Sequence, residues 1–297
     1  MPEEGIDFAS RSALLSFEEI VFLCEVLSTL GVNKVRLTGG EPLSRKGLPQ
    51  LVKSLGNIFP NMAMTTNGIL LPAVLDELVG YGLNHYNLSL DTLREDRFFE
   101  ITRRDDFAGT KRALDELLAR SIKTKINVVV LKGTNDDEIV DFVAYTQDHK
   151  VDIRFIEAMP FNDDDGNHHL YLSHQEILHR IQERFPSIEP YTDEVNSSSV
   201  AYRVPGFKGQ IGIIPAYSRS LCGSCNRLRL TPKGTMLNCL YSTKGLELLP
   251  LLRSGIGRED LGALIKEFVK GKHKTGHDTQ RLEQQGNIFA SMTSIGG

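Results

Sequence analysis

Hydrophobic positions in the first half of the chain alternate between the strand period of two residues and the helix period near 3.6. Strand-like segments begin near residues 34, 62, 85, 123 and 151. One helical segment separates each strand from the next, and the first helix starts at a capping-box pattern, Ser16 with Glu19. Strands that alternate with helices pair in parallel through right-handed crossovers. The pattern therefore predicts an α/β fold, either a doubly wound open sheet or part of a barrel.

The alternation changes near residue 160. A polar loop follows, then a helix capped by Ser173 and Glu176, two short strands and a segment rich in cysteine. Two further helices are predicted near 245–253 and 258–270. We therefore predict two domains, one over 1–160 and a smaller mixed α/β domain over 161–297.

Composition excludes several classes of protein. The 297 residues are 40% hydrophobic and 24% charged, with a net charge of -4, so the chain can bury a sizeable core and lacks the basic excess of a nucleic-acid binder. No apolar run approaches the roughly 18 residues of a membrane span, and the N-terminus lacks the pattern of a signal peptide. We expect a protein that binds neither nucleic acid nor membrane.

Three of the four cysteines lie close together in the sequence. Cys24 stands alone in an apolar helical segment, whereas Cys222, Cys225 and Cys239 fall within eighteen residues. Structural zinc usually takes four protein ligands, so three thiolates suit a [4Fe–4S] cluster that keeps one iron open for substrate. A histidine such as His277 would complete a zinc site instead, and the spacing alone does not decide between the two metals.

Cationic side chains recur inside the predicted strands. Parallel strands are covered on both faces, so bare charges within them need an anionic partner. Two interpretations stay open: a polyphosphate ligand, or salt bridges with nearby acids. The residues concerned are Lys34, Arg36, Lys123, Lys125, Arg154, Arg227 and Arg229.

Ligands of parallel α/β folds bind at the carboxyl ends of the strands. Polar or glycine-rich segments stand at four of those ends, and we expect the chemistry there. They are Thr38–Pro42, Thr65–Gly68, Ser89–Asp91 and Glu157–Met159.

Together these motifs resemble the GTP 3',8-cyclase family, the radical S-adenosylmethionine (SAM) enzymes of molybdenum cofactor biosynthesis. The resemblance spans nearly the whole chain in the family's order. The matching segments are 34–43, 65–68, 87–91, 125–127, 154–160, 222–229, Cys239 and the Gly-Gly tail at 296–297. The resemblance implies a partial (β/α) barrel of the radical SAM type followed by an iron–sulfur domain.

The resemblance also implies a role for individual residues. Gly40, Glu41, Ser89 and Met159 would bind SAM. Arg36, Thr65, Lys125, Arg227 and Arg229 would hold GTP, with Lys34 and Arg154 lining the same cavity. Cys222, Cys225 and Cys239 would hold a [4Fe–4S] cluster whose open iron meets the guanine, and the Gly-Gly tail would reach the active site.

The implied activity is that of a lyase which converts GTP to (8S)-3',8-cyclo-7,8-dihydroguanosine 5'-triphosphate by SAM-dependent radical chemistry. A cyclic pyranopterin monophosphate synthase would act next. The resemblance leaves a homodimer open and implies a cytoplasmic location in a prokaryote.

One departure from the family is large. Its members carry a Cys-x3-Cys-x2-Cys loop that binds a first cluster, and the segment that follows this loop resembles residues 1–7. We expect that this loop and the first barrel strand precede the 297 residues, which by themselves would bind GTP without cleaving SAM. A noncatalytic paralogue that binds GTP with zinc or a cluster, and a radical SAM enzyme with another substrate, are the alternatives.

Overall fold

The computed structural model describes residues 10–159, 169–191, 199–218 and 222–283. The α-helices of these ranges are α1 (Phe17–Thr29), α2 (Leu48–Gly56), α3 (Leu75–Gly80), α4 (Glu95–Thr102), α5 (Phe107–Ala119), α6 (Ile139–Tyr145), α7 (His174–Arg184), α8 (Leu249–Arg253), α9 (Arg258–Lys270) and α10 (Gly276–Glu283). The strands are β1 (Lys34–Leu37), β2 (Asn61–Thr66), β3 (Leu83–Ser89), β4 (Lys123–Val130), β5 (Asp152–Glu157), β6 (Glu189–Pro190), β7 (Val200–Arg203), β8 (Gln210–Ile214), β9 (Arg229–Leu230), β10 (Thr235–Leu237) and β11 (Leu246–Glu247).

The strands form two sheets in the described ranges. The larger has eight strands in the order β1-β2-β3-β4-β5-β8-β7-β6, and the smaller has the order β11-β10-β9. Pairing is parallel between β1 and β2 and from β3 through β4 and β5 to β8, whereas β7 pairs antiparallel with both β8 and β6. The alternation of strand and helix thus produces the mostly parallel α/β sheet that the sequence predicts.

Local signals explain where several elements begin. Ser16 and Ser173 cap α1 and α7 with complete capping boxes, in which Glu19 and Glu176 accept hydrogen bonds from the two serine backbones. Both helix starts are confirmed. The helix predicted from about residue 245 begins only at Leu249, because Leu246–Glu247 pairs with β10 instead.

The chain divides into two compact units. The first comprises 1–64, 74–84 and 226–297, and the second comprises 65–73 and 85–225. In the second unit a core forms between one face of β3–β5 and β8 and the helices α5, α6 and α7; Leu88, Ile126, Phe155, Phe142 and Ile177 lie in it. The predicted domain boundary near 160 lies outside the described residues and stays a prediction.

The first unit has its own core, in which Leu23 and Val26 of α1 pack with Met236 of β10 and with Leu261 and Ile265 of α9. This core holds the small sheet against the two helices. Across the described ranges, no helix combines the length and the apolar character needed to cross a membrane.

Candidate functional site

The second unit has a sheet with one apolar and one polar face. Strands β4 and β5 bury every second side chain, and the residues between them remain partly accessible. Lys125, Asn127, Asp152 and Arg154 lie on the accessible face, because residues two apart in a strand point the same way. The apolar face packs into the core, so the polar face is the one that can meet a ligand.

Strand register brings these polar residues together. Lys125 pairs with Asp152, and Asn127 pairs with Arg154 on one side and with Ser89, the last residue of β3, on the other. The Lys125 Nζ lies 3.5 Å from the Asp152 Oδ2. Two predicted GTP residues and one predicted SAM residue therefore share one surface. Lys125 and Asp152 lie toward the amino ends of their strands, whereas Ser89 lies at a carboxyl end.

Asn127 is a candidate site residue that the sequence reasoning did not single out. Its Oδ1 is buried and has no hydrogen-bond partner among the described residues. A buried acceptor without a partner costs about 1–3 kcal/mol. Its signal in the sequence was a polar residue two positions after Lys125 in an otherwise β-branched strand.

Gly212 leaves room for Arg154. The two residues are register partners, and a Cβ at Gly212 would lie 3.4 Å from the Arg154 Cγ and 3.0 Å from the Ser199 Oγ. Any larger residue would press on the stem of the arginine. The glycine therefore lets the Arg154 side chain lie over β8.

A buried carboxylate closes the carboxyl end of β5. Glu157 is fully buried and accepts hydrogen bonds from the backbone N–H groups of His174 (2.8 Å), Tyr217 (2.9 Å) and Ser218 (2.8 Å). The Ser218 hydroxyl donates to the same carboxylate at 3.0 Å, and the His174 Nδ1 lies 2.9 Å from it. Glu157 thus ties β5 to the start of α7 and to the segment that leads to Cys222.

The charge of Glu157 follows from these contacts. Burial alone would raise the pKa of Glu157, but the hydrogen bonds from Ser218 and His174 outweigh it and hold the pKa below its ordinary value. Because the carboxylate stays ionised and its oxygens already accept several hydrogen bonds, Glu157 has a structural role at the end of β5.

Asp91 closes the carboxyl end of β3 in a similar way. Its Oδ1 accepts a hydrogen bond from the Val129 N–H at 2.8 Å, which joins the residues after Ser89 to β4. Burial raises the pKa of Asp91 to about 6, although the Val129 hydrogen bond lowers it. Ser89 itself is exposed.

Thr65 stands near the end of β2, where it is partly buried. The turn that follows is built by side chains: Thr66 Oγ1 accepts from the Gly68 N–H at 3.0 Å, and Thr110 donates to the Asn67 carbonyl at 2.9 Å. These bonds fix the turn on the second unit and so hold Thr65, a predicted GTP residue, at the end of its strand.

In the first unit, β1 presents Lys34 and Arg36 on one exposed face, as the sequence predicts. Gly40 follows with φ of +38°, in the left-handed region that favours glycine, and Glu41 caps a short 3-10 turn by accepting from the Leu43 N–H at 3.0 Å. The predicted contact of Glu41 with the SAM amino group stays a prediction.

The small sheet of the first unit carries two further predicted groups. Arg229 on β9 pairs with Leu237 on β10, and Cys239 follows two residues later. Arg227 is exposed, and its carbonyl accepts from the Lys272 Nζ at 3.0 Å. Cys239 therefore lies two residues beyond the strand residue that pairs with Arg229.

The cysteines differ in accessibility. All four are reduced thiols; Cys24 is buried, whereas Cys222, Cys225 and Cys239 are partly exposed. Cys222 and Cys225 share one tight turn, in which the Cys225 N–H donates to the Cys222 carbonyl at 3.1 Å. Burial raises the pKa of Cys24 to about 11. Accessible thiols three positions apart suit metal ligation, and the buried thiol does not.

Among the described residues, no group of three or more His, Cys, Asp or Glu side chains is arranged to hold a metal ion. Cys222 and Cys225 belong to the second unit and Cys239 to the first. The three-cysteine cluster site therefore stays a prediction, as do the ligand contacts of the other predicted site residues.

Two protein-family models match this chain. The model for the radical SAM superfamily matches residues 6–146, and the model named Molybdenum Cofactor Synthesis C matches residues 151–278. The chain is 37% identical over 304 residues to GTP 3',8-cyclase of Chlorobaculum tepidum, covering 98% of this chain and 88% of that protein.

Longer relatives match over part of their length. Molybdenum cofactor biosynthesis protein 1 of Dictyostelium discoideum is 41% identical over 283 residues, which cover 93% of this chain and 45% of the relative. This chain thus spans about half the length of that protein. Among solved structures, Streptococcus suis SuiB matches with a TM-score of 0.59 at 12% identity, over 80% of this chain and 57% of SuiB. Together with the radical SAM model, this likeness confirms the predicted fold class.

Proposed function

The chain belongs to the GTP 3',8-cyclase family, and we propose that its polar sheet face binds the substrate GTP for SAM-dependent cyclisation in molybdenum cofactor biosynthesis. The observation that carries the proposal is the pair Lys125 and Arg154 on the accessible face of β4 and β5, backed by an apolar core. A cyclic pyranopterin monophosphate synthase would use the product.

The role of the cations follows from charge. GTP carries about four negative charges, which a partly buried site can hold only against matched cations. Arg154 offers a planar fork to a phosphate and Lys125 a point charge. The family resemblance also assigns GTP contacts to Lys34, Arg36, Thr65, Arg227 and Arg229, and these assignments stay predictions.

The SAM side of the proposed site lies at the carboxyl ends of the strands. Ser89, the register partner of Asn127, is exposed and offers a hydroxyl to a bound ribose or amine. Met159, two residues after β5, adds a soft side chain on the second unit, and the predicted roles of Gly40 and Glu41 rest on the family resemblance alone. SAM bound at a reducing [4Fe–4S] cluster supplies the radical chemistry in this family.

The three accessible thiols are the proposed ligands of a metal cluster. Cys222, Cys225 and Cys239 would hold one [4Fe–4S] cluster, and Cys24 is buried in α1. The chain therefore has one set of three accessible thiols. We propose that GTP binds at this cluster.

GTP titration of purified variants tests the GTP site. Lys125→Ala and Arg154→Ala should each weaken binding about tenfold or more, which corresponds to about 1.4 kcal/mol. Lys111→Ala is the matched control, because Lys111 also pairs with an aspartate, Asp115, but on the outer surface of α5. Unchanged affinity in both test variants would show that GTP does not bind at this face.

A further inference from the structure

We infer that Asp152 is an internal counterion of Lys125, which the phosphate chain of a bound nucleotide must displace. The inference rests on the proposed function, since it assigns a new role within the same site. A phosphate of the bound nucleotide competes with Asp152 for Lys125, and this competition lowers the affinity for the nucleotide.

The geometry of the pair is that of an exchangeable contact. The Lys125 Nζ and the Asp152 Oδ2 are 3.5 Å apart, and the two side chains are 12% and 28% exposed. In the pair of Arg97 with Glu138, by contrast, the distance is 2.6 Å, and the fully buried Glu138 also accepts a hydrogen bond from the Thr92 hydroxyl. A long, partly hydrated contact gives way to a stronger anion more readily than a short buried one.

Charge on the polar face points the same way. The face formed by β3, β4, β5 and β8 carries Lys123, Lys125 and Arg154, and Asp152 is the acidic residue that these four strands add to it. Glu157, five residues further along β5, points to the opposite, buried face. Asp152 is thus the one carboxylate on these four strands that lies on the polar face.

A counterion has two effects of opposite sign. In the empty protein Asp152 compensates the charge of Lys125, which is largely buried, so its loss destabilises the fold. In the complex Asp152 repels the phosphates and competes for the lysine, so its loss strengthens binding. A residue that only positions Lys125 would weaken both stability and binding when replaced.

The test compares wild type, Asp152→Asn, Lys125→Ala and the double variant by calorimetric titration with GTP and by thermal unfolding. Asp152→Asn should bind GTP about tenfold more tightly and unfold at a lower temperature without nucleotide. The gain should disappear in the Lys125→Ala background. It should also be absent for guanosine, which has no phosphate.

Asp141→Asn controls for net charge, because Asp141 is an exposed acid on α6 and its loss should leave GTP affinity unchanged. If Lys125→Ala weakens binding but Asp152→Asn leaves it equal or weaker, the counterion role is wrong and the GTP site stands. If wild type does not bind GTP, the proposed function itself fails. An equal gain with guanosine would also overturn the counterion role.

Discussion

The two ends of β5 carry carboxylates with opposite properties. Glu157 at the carboxyl end is fully buried and accepts hydrogen bonds from His174, Tyr217 and Ser218. Asp152 at the amino end is partly exposed and meets Lys125 at 3.5 Å. The two residues are five positions apart, so the alternation of the strand turns them to opposite faces of the sheet.

The two carboxylates show that a single strand, β5, can stabilise the fold at one end and contribute to a binding site at the other. A buried carboxylate with several donors is costly to disturb, so it fixes the loops around it. A partly hydrated carboxylate with a distant cation exchanges its partner at low cost, so it suits a site that a charged ligand enters and leaves.

The largest effect should come from Glu157→Gln. An amide keeps the shape but loses the charge and half of the acceptor capacity, which leaves backbone donors unpaired in the interior. We expect a loss of about 2–4 kcal/mol in the free energy of unfolding, measured by urea denaturation. A loss below about 0.5 kcal/mol would show that Glu157 does not hold the loops together.

Glu157 should also make stability depend on acid. Because its pKa is lowered in the fold, its contribution is present in full above the ordinary glutamate pKa and disappears as the pH falls through the lowered value. Wild type should therefore lose stability on acidification more steeply than Glu157→Gln. Parallel curves of unfolding free energy against pH for the two proteins would contradict this.

A smaller and more selective effect is expected from Gly212→Ala. The added Cβ presses on the Ser199 Oγ and the Arg154 Cγ, so the arginine must shift. GTP affinity should fall several-fold while the unfolding free energy falls by about 1 kcal/mol. The double variant Gly212→Ala, Ser199→Gly lacks the closer contact, so it should recover part of the GTP affinity and part of the unfolding free energy. Equal GTP affinity in Gly212→Ala and wild type would show that the added Cβ does not displace Arg154.

The smallest effect concerns thiol accessibility. In wild type, iodoacetamide should modify Cys222, Cys225 and Cys239 and spare Cys24, whose pKa is raised to about 11 by burial. Loss of the Glu157 anchor should speed the modification of Cys222 and Cys225 and leave Cys239 at its wild-type rate. Peptide mass spectrometry after timed alkylation measures all four rates, and a uniform increase would indicate general unfolding instead.

Protection from iodoacetamide also distinguishes an iron–sulfur cluster from zinc at the accessible cysteines. Anaerobic reconstitution with iron and sulfide should bind about four irons per chain, protect the three accessible cysteines and give absorption near 400 nm. Protection by one zinc, with no iron bound, would favour the zinc alternative.

The sequence predicts much of the fold because its signals are local. Burial alternates every second residue in β4 and β5, and the serine caps of α1 and α7 lie within three residues of their partners. The strands β9 and β11 have two residues each, too few to show a period, and α4 was not predicted.

The site was predictable in residue type more than in arrangement. Lys125 and Arg154 stood out as cations in apolar strands. The partners of Asp152 and Asn127 depend on the register of strands about 27 residues apart, and the donors of Glu157 lie 17 to 61 residues away. Nothing local in the sequence distinguishes Asp152, which pairs with one partly exposed cation, from Glu157, which is held by several hydrogen bonds.

Calorimetric titration of the 297-residue protein with GTP and, separately, with guanosine measures whether the polar face binds the phosphates of a nucleotide. We predict saturable binding of one GTP per chain, at least about tenfold tighter than guanosine and weakened by added salt, because cations of the polar face hold the phosphates. Absence of saturable GTP binding, or equal affinity for guanosine, would contradict the claim.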